Sequence, residues 1–239
     1  MITDSRDLTH PTPYNKIIIC GMYRSGSTLL FNIVKHLCKE FNVLNFSGKP
    51  LTTHKVHLDW TNNSVFRKWA YIEKSWDPNN LVIYSRRDVR DVICSYFQRE
   101  KCSLENFQHA GKNYIDFLCW IVKNDWLIDA AAKSTSNIKI LSYEKEINGD
   151  SNLMLLASKI ISLFNVNQTL KHTDLTSFQF MSSKNKTDIL SKMDGLTQYW
   201  PNHLNDGKIG KYKNILNNKQ LSSIENDKTI KRWIKFFYS

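Results

Sequence analysis

The sequence predicts an α/β fold with three layers, in which a central, mostly parallel sheet is flanked by helices. Short apolar runs at residues 17–19 and 81–84 are typical of buried strands. Each run is followed by a segment whose apolar residues have helical spacing. The chain of 239 residues, 41% of them hydrophobic, is long enough to bury the core of one such domain.

Along the chain, residues 1–14 are polar and contain two prolines, which predicts a flexible N-terminal arm, and residues 15–239 are predicted to form a single domain. Strands are predicted at 16–20, 43–46, 51–58, 81–84 and 138–143. Helices are predicted at 27–41, 65–75, 104–133, 152–164 and 221–237, with a further helix that begins after Asp88. Residues 165–216 are irregular and polar, and an irregular segment of this length usually carries function.

The first strand leads into a Gly- and Ser-rich turn. Gly21, Gly26 and Thr28 match the P-loop pattern G-x-x-x-x-G-K-[ST], but Ser27 stands in place of its lysine. Such a turn directs backbone N–H groups and the positive end of a helix dipole at one point, which suits a phosphate. The nearest cation, Arg24, lies inside the turn. The pattern favours a phosphate site that lacks the usual lysine, and the alternative is an ordinary glycine-containing turn.

A second basic element follows the strand at residues 81–84. Arg86 and Arg87 end this strand, and Ser95 lies two helical turns into the next helix, so a guanidinium and a hydroxyl could hold a second phosphate. Kinases and GTPases place an acidic residue at a strand end to hold magnesium. The arginine pair therefore favours an anion that is bound without metal. The alternative is a basic strand end beside solvated helix charges, with Arg90 and Asp91 among them.

The composition restricts the class of ligand. Lysine and arginine number 33 against 22 acidic residues, for a formal charge of +11, which suits an anionic ligand. No run of five basic residues occurs, so we expect a local anion pocket and no nucleic-acid partner. The five cysteines include no C-x-x-C pair and indicate reduced core residues in a reducing compartment. Neither they nor the seven histidines have the spacing of a zinc site.

The sequence has no visible signal peptide and no visible membrane span. The first seven residues contain no apolar signal-peptide core, and no apolar run approaches the length of a membrane span. We therefore expect a cytoplasmic protein without a membrane span.

Together these stretches resemble the sulfotransferases that use 3′-phosphoadenosine 5′-phosphosulfate (PAPS). Residues 24–28 resemble the family's 5′-phosphosulfate loop, K/R-S-G-T/S-T. Residues 87–96 resemble its 3′-phosphate motif, R-N/D-P-K/R-D-V-x-x-S-Y, with Val89 in place of the proline. The resemblance implies that the 3′-phosphate of PAPS is bound by Arg87 and Ser95. It implies that the 5′-phosphosulfate of PAPS is bound by Arg24, Ser25, Gly26, Ser27 and Thr28.

Three later stretches resemble the family in the same order. Tyr143 and Glu144 resemble the Y-E-D element, whose tyrosine contacts adenine. Residues 176–181 resemble the T-S-F-x-x-M element that walls the adenine, and residues 207–214 resemble the late segment R-K-G-x-x-G-D-W-K-N. The resemblance implies further donor-binding residues at Tyr143, Thr176, Phe178, Met181, Gly207 and Lys208.

The late segment departs from the family pattern. Asn205 and Asp206 stand where the family has arginine and lysine, whereas Gly207 matches. Lys208 or Lys211 could supply the missing phosphate contact. Leu29 stands where the cytosolic branch of the family has a tryptophan against adenine, and Tyr212 also replaces a tryptophan.

The acceptor must lose a proton as its oxygen or nitrogen attacks sulfur, and a histidine with a pKa near neutrality suits that task. Residues 55–58 resemble the family's K-T-H-L, which implies His57 as the catalytic base and Lys55 as a cation near the transferred group. Arg24 would stabilise charge on the bridging oxygen. Strand alternation places Lys55 and His57 on one face. His54, which faces the other way, is the alternative base.

We therefore expect an enzyme that transfers the sulfuryl group from PAPS to a hydroxyl or amine of a small-molecule or saccharide acceptor, without metal, as a monomer or homodimer. One alternative is a P-loop nucleotide kinase or related phosphotransferase, which Ser27 in the lysine position disfavours. The other is a non-catalytic anion-binding module, which the presence of Lys55 and His57 disfavours.

Overall fold

The computed structural model describes residues 10–45, 47–55, 77–109, 111–147, 150–164 and 208–238. The first half contains β1 (His10–Pro11), β2 (Lys16–Gly21), α1 (Ser27–Glu40), β3 (Val43–Leu44), β4 (Thr52–Lys55), β5 (Asn80–Arg86) and α2 (Val89–Glu100). The second half contains α3 (Tyr114–Ser134), β6 (Ile138–Ser142), a π-helical turn (Tyr143–Ile147), α4 (Asp150–Leu163), α5 (Tyr212–Ile215), α6 (Asn218–Asn226) and α7 (Lys228–Tyr238).

Four of the strands form a parallel sheet in the order β4-β2-β5-β6, while β1 and β3 pair separately. Strands β2 and β5 are in register from Lys16 opposite Asn80 to Gly21 opposite Ser85. Every residue of β5 is buried, as expected for an inner strand of a parallel sheet that is covered on both faces. Because the strands are parallel, the carboxyl ends of β2, β5 and β6 meet at one edge, where a binding site is expected.

Helices cover the two faces of the sheet, and β2 shows how its residues divide between them. Ile17 and Ile19 belong to the core formed with α1 and α4. Ile18 and Cys20 belong to the core formed with α2, α3, α6 and α7. This division follows the period-two alternation of a strand. It confirms the predicted three-layer α/β class with a parallel central sheet.

The structure differs from the predicted elements at residues 104–113, in the N-terminal arm and at Tyr212–Ile215, where α5 lies in a segment predicted to be irregular. The helix predicted at 104–133 begins at Tyr114, after an Asn113 side chain that accepts from the Asp116 N–H at 3.0 Å. Leu104 and Phe107 are buried in the core without belonging to a helix. The prediction of a helix from their apolar spacing is therefore wrong. Within the predicted arm, the backbone at His10–Pro11 pairs with β3. The predicted helix at 65–75 and residues 165–207 lie outside the described residues.

Three of the five cysteines have the expected core position, and Cys102 and Cys119 are partly exposed. All five are free thiols, and Cys20, Cys38 and Cys94 are buried. Burial raises the pKa of Cys20 and Cys38 to about 12, so these thiols are neutral near pH 7. In the part of the chain that the structure describes, none of the helices is long and apolar enough to cross a membrane.

A buried charge network ties the C-terminal helix to the sheet. Arg86, the last residue of β5, donates from Nε to Asp125 Oδ1 and from Nη2 to Asp129 Oδ1, both at 3.0 Å. The Trp233 indole N–H donates to Asp125 Oδ2 at 2.8 Å. The Phe237 ring lies 3.7 Å from the guanidinium carbon of Arg86. Both carboxylates are buried and accept hydrogen bonds from Arg86, so the network fixes α3 and α7 against the carboxyl end of β5.

Removing one partner from this network should be costly. We expect Asp125→Ala to lower the free energy of unfolding by about 3–5 kcal/mol, because it leaves the Arg86 guanidinium buried without its main counter-charge. Urea unfolding followed by circular dichroism measures the effect. Asp116→Ala, at an exposed position on the same helix, is the control, with an expected loss below about 1 kcal/mol. Equal losses in the two variants would contradict a stabilising role for the network.

Candidate active site

The loop between β2 and α1 is shaped by two residues in the left-handed region, Arg24 at φ 58° and Gly26 at φ 82°. Ser25 between them is fully buried. Its hydroxyl donates to the Met22 carbonyl at 2.7 Å and lies 2.6 Å from the hydroxyl of Ser85 at the end of β5. Ser25 therefore holds the loop against the neighbouring strand, as a support of its conformation.

The N-terminus of α1 is suited to an anion. Gly26 is the N-cap residue, and among the described residues no side chain caps this end and no acidic residue occupies the first turn. Ser27 and Thr28 begin the helix. The N–H groups of a first helical turn have no acceptor within the helix, and the helix dipole adds partial positive charge there. Both features favour a phosphate or sulfate group at this position.

Arg87 lies at the centre of the site and is 3% exposed. Its Nη1 donates to the Arg24 carbonyl at 3.1 Å, and its Nη2 donates to the Lys208 carbonyl at 3.3 Å. The guanidinium carbon lies 4.2 Å from the centre of the Tyr143 ring. The buried Nε has no hydrogen-bond partner among the described residues. A buried donor normally has an acceptor, so this N–H fits an anionic ligand.

Arg24 lies beside the same group of residues. Its Nε donates to Ser95 Oγ at 3.2 Å. Arg24 is predicted to bind the 5′ end of PAPS and Ser95 its 3′-phosphate, so the two predicted subsites are in direct contact. Burial, and then the neighbouring charge of Arg99, lower the pKa of Arg24 to about 10. Arg24 therefore stays charged at neutral pH. The structure brings Arg24, Arg87 and Ser95 together at the end of β5.

Tyr143, which directly follows β6, is buried between the loop and Arg87. A Cβ atom at Gly26 would lie 2.9 Å from Cδ2 of the Tyr143 ring, so the loop backbone passes close to that ring. The ring thus contacts both Gly26 and Arg87. The adenine contact implied for Tyr143 by the family resemblance stays a prediction.

The late segment is attached to α2 through Asp91. The carboxylate of Asp91 accepts from the Gly210 N–H at 2.6 Å and from the Tyr212 N–H at 3.2 Å. Asp91 is fully buried, so its interpretation as a solvated helix charge is wrong. Sequence reasoning missed this role, although Asp91 matches the aspartate of the 3′-phosphate motif.

The two candidate lysines of the late segment have different environments. The Lys208 carbonyl accepts from Arg87, and the residue is exposed. Lys211 is buried, and its amine donates to Gln98 Oε1 at 3.0 Å. Gln98 lies three residues after Ser95 on α2, so the Lys211 side chain extends along that helix.

Arg86 is not part of this arrangement, and several other predicted site residues fall outside the described part of the chain. Arg86 points into the core network with Asp125 and Asp129, so the predicted arginine pair is divided and Arg87 alone reaches the loop. The structure describes only the backbone of Lys55, which lies in β4 opposite Ile19 of β2. The remaining predicted residues lie outside the described residues: His57, Thr176, Phe178, Met181 and Gly207.

Comparison with known proteins identifies the class. A family model described as a sulfotransferase domain matches residues 14–235. This chain therefore belongs to the sulfotransferase family, which confirms the resemblance. The expected enzyme class, a PAPS-dependent sulfotransferase, is confirmed with it. No curated protein matches the chain by sequence.

Solved structures show the same fold. Mouse sulfotransferase SULT7A1 complexed with PAP has 14% identity and a TM-score of 0.55, with 93% of this chain and 89% of that chain covered. Retinol dehydratase with retinol and PAP has 15% identity and a TM-score of 0.55, with 92% of this chain and 81% of that chain covered. Retinol dehydratase with androsterone and the inactive cofactor PAP has 14% identity and a TM-score of 0.56, with 94% of this chain and 80% of that chain covered.

The contact between Gly26 and Tyr143 gives a test of the loop geometry. We expect Gly26→Ala to destabilise the protein by about 1–3 kcal/mol, because the new Cβ would meet the Tyr143 ring in a backbone region unfavourable to alanine. Thermal unfolding measures the change. Gly111→Ala is the matched control, since Gly111 has a φ of 74° but nothing within 4 Å of an added Cβ. If both variants lose the same stability, the close contact with Tyr143 has no energetic role.

Proposed function

We propose that this chain transfers the sulfuryl group of PAPS to a hydroxyl or amine of a small-molecule or saccharide acceptor, with Arg24, Arg87 and Ser95 binding the donor. One observation carries the proposal: the Arg24 side chain donates to Ser95 and Arg87 donates to the Arg24 carbonyl, beside the N-terminus of α1, which no side chain of the described residues caps. PAPS has anionic groups at its 5′ and 3′ ends. Two arginines and a helix N-terminus on one sheet edge complement both groups.

The 3′-phosphate is assigned to Arg87 and Ser95. The buried Nε of Arg87 has no partner among the described residues, and a phosphate oxygen is a strong acceptor for a guanidinium N–H. Ser95 is buried on the first turns of α2 and supplies a hydroxyl. Tyr143 covers the guanidinium from one side, which excludes water from that surface and strengthens its interaction with an anion.

The 5′ end is assigned to the loop and to the start of α1. Backbone N–H groups at Ser27 and Thr28 are positioned by the helix to bind phosphate oxygens. Ser25 supports the loop through its bonds to Met22 and Ser85. Arg24, which is charged at neutral pH, would stabilise negative charge that develops on the oxygen bridging sulfur and phosphorus.

In the chemical step the sulfuryl group passes directly from the 5′-phosphate oxygen of PAPS to an oxygen or a nitrogen of the acceptor. The acceptor atom forms a bond to sulfur while the bond from sulfur to the 5′-phosphate oxygen breaks. The electron pair of that bond stays on the leaving group, 3′-phosphoadenosine 5′-phosphate (PAP). The acceptor proton passes to His57 as general base, and Lys55 stabilises the transferred group. In the described residues no group of three His, Cys, Asp or Glu side chains could hold a metal ion.

Other assignments from the family resemblance belong to the same proposal. Adenine and the remaining donor contacts are assigned to Tyr143, Thr176, Phe178, Met181, Gly207 and Lys208. A single domain over residues 15–239, a monomeric or homodimeric state and a cytoplasmic location stay predictions.

The activity itself is tested with the purified full chain, PAPS and an acceptor panel. The panel contains sugars, phenols, amines and apolar alcohols, the last because retinol and androsterone are bound in structurally similar proteins. Release of PAP and the sulfated product are measured by mass spectrometry. We expect acceptor-dependent PAP formation in the presence of a chelator. Turnover of ATP that requires magnesium, without any sulfated product, would contradict the proposal.

Arg87 allows a test that does not need the acceptor. We expect Arg87→Ala to weaken PAP binding by about 10- to 100-fold, the order for a lost charge-assisted hydrogen bond. Calorimetric titration measures the affinity. Adenosine 5′-monophosphate, which lacks the 3′-phosphate, is the matched ligand, and its affinity should fall clearly less than that of PAP, because it loses only the support that Arg87 gives to the loop at the Arg24 carbonyl. An equal loss for both nucleotides would show that Arg87 does not recognise the 3′-phosphate.

The base is tested by separate substitution of the two candidate histidines. We expect His57→Ala to lower kcat by about 10²- to 10⁴-fold, because the acceptor proton then has no general base. PAP affinity should be unchanged, since His57 is not assigned to the nucleotide. His54→Ala is the control and should retain kcat within about threefold. The reverse ranking of the two variants would transfer the role to His54.

A further inference from the structure

Glu144 joins three separate parts of the chain next to the proposed donor site. Its Oε1 accepts from the Asp88 backbone N–H at 2.9 Å. Its Oε2 accepts from the Ser142 hydroxyl at 3.1 Å and from the Tyr238 hydroxyl at 2.9 Å. The partners lie at the start of α2, the end of β6 and the end of α7. One carboxylate thus links two strand ends of the site to the C-terminal helix.

The bond to Asp88 acts directly on the backbone of Arg87. The Asp88 N–H and the Arg87 carbonyl belong to the same planar peptide unit, so a bond to that N–H fixes its orientation. Asp88 also caps α2, since its side chain accepts from the Arg90 N–H at 2.9 Å. Glu144 therefore determines where Arg87 leaves β5 and where α2, with Ser95, begins.

Glu144 is also the residue that follows Tyr143, whose ring lies 4.2 Å from the Arg87 guanidinium carbon. Arg87 directly follows β5 and Tyr143 directly follows β6, and Glu144 bonds across the gap between those strand ends. A change in its position would alter the separation of guanidinium and ring.

Tyr238 fixes the other oxygen of the carboxylate. Burial, and then the charge of Glu144, raise the pKa of the Tyr238 hydroxyl, which therefore stays a donor at neutral pH. Tyr238 ends α7, and Trp233 on the same helix is held in the core by its bond to Asp125. The position of Glu144 thus depends on a helix that is itself well anchored.

We propose that Glu144 is a positioning residue for the sulfuryl donor, which holds Arg87 and Tyr143 in binding geometry and is itself held by Tyr238 of α7. The inference rests on the proposed function, because it assumes that Arg87 binds the 3′-phosphate. It makes the C-terminal helix a determinant of donor affinity, although none of its described side chains is assigned to the donor.

The test measures PAP affinity and steady-state kinetics in two variants. We expect Glu144→Ala to raise the dissociation constant of PAP by about tenfold and the KM for PAPS in proportion, with kcat changed by less than about threefold. Tyr238→Phe, which removes one hydroxyl and keeps the ring, should raise both constants by about threefold. Glu144→Gln, whose amide oxygen can still accept from Asp88, should restore most of the affinity lost in Glu144→Ala.

The control weakens α7 at its other end. Asp227 accepts from the Thr229 and Ile230 N–H groups at the start of that helix, far along the chain from Tyr238. We expect Asp227→Ala to lower the melting temperature without changing PAP affinity. Unchanged PAP affinity in Tyr238→Phe, or an equal affinity loss in Asp227→Ala, would overturn the positioning role. Failure of the wild-type chain to bind PAP would instead overturn the proposed function on which this role depends.

Discussion

The site depends on one constraint: a guanidinium buried at the end of β5 must find acceptors for its N–H groups. Two nitrogens of Arg87 donate to backbone carbonyls of distant segments, at Arg24 and Lys208, and the Tyr143 ring covers one face of the guanidinium, while Nε has no acceptor among the described residues. Each of these contacts holds a different part of the chain at the sheet edge. The arginine that would bind the donor is therefore also the residue around which the loop, β6 and the late segment assemble.

Arg86, the residue before Arg87, shows how strand geometry determines which of the two arginines reaches the proposed donor site. Successive strand residues point to opposite faces, so Arg86 enters the core between α3 and α7 while Arg87 reaches the loop. Arg86 is neutralised by Asp125 and Asp129, so its charge does not contribute to ligand binding. It nevertheless fixes the strand end from which Arg87 departs.

Much of the fold could be predicted from local patterns. The buried runs of β2 and β5, the helix that starts at Ser27 and the Asp88 cap follow from periodicity and capping chemistry. The site was less predictable, because its contacts join residues far apart in sequence. No spacing rule indicates that Arg24 donates to Ser95, or that Asp91 binds the backbone at Gly210.

The error at residues 104–113 has a related cause. Leu104 and Phe107 fill the core from turns, and an apolar residue that packs from a turn has the same sequence signal as one on a helix face. The true start of α3 is determined by Asn113, whose capping bond competes with continued helix before it.

The attachment of the late segment through Asp91 has a consequence for sequence change. Both of its bonds go to main-chain N–H groups, at Gly210 and Tyr212, so these bonds exclude proline and set no other requirement on the side chain. Gly210 is restricted separately, because its φ of 74° favours glycine. The path of the segment is therefore set through its backbone, separately from the contacts of side chains such as Lys211. A segment held in this way can have Tyr212 where the family has a tryptophan, while the path of its backbone is retained. Drift at such positions would lower pairwise identity faster than it altered the architecture.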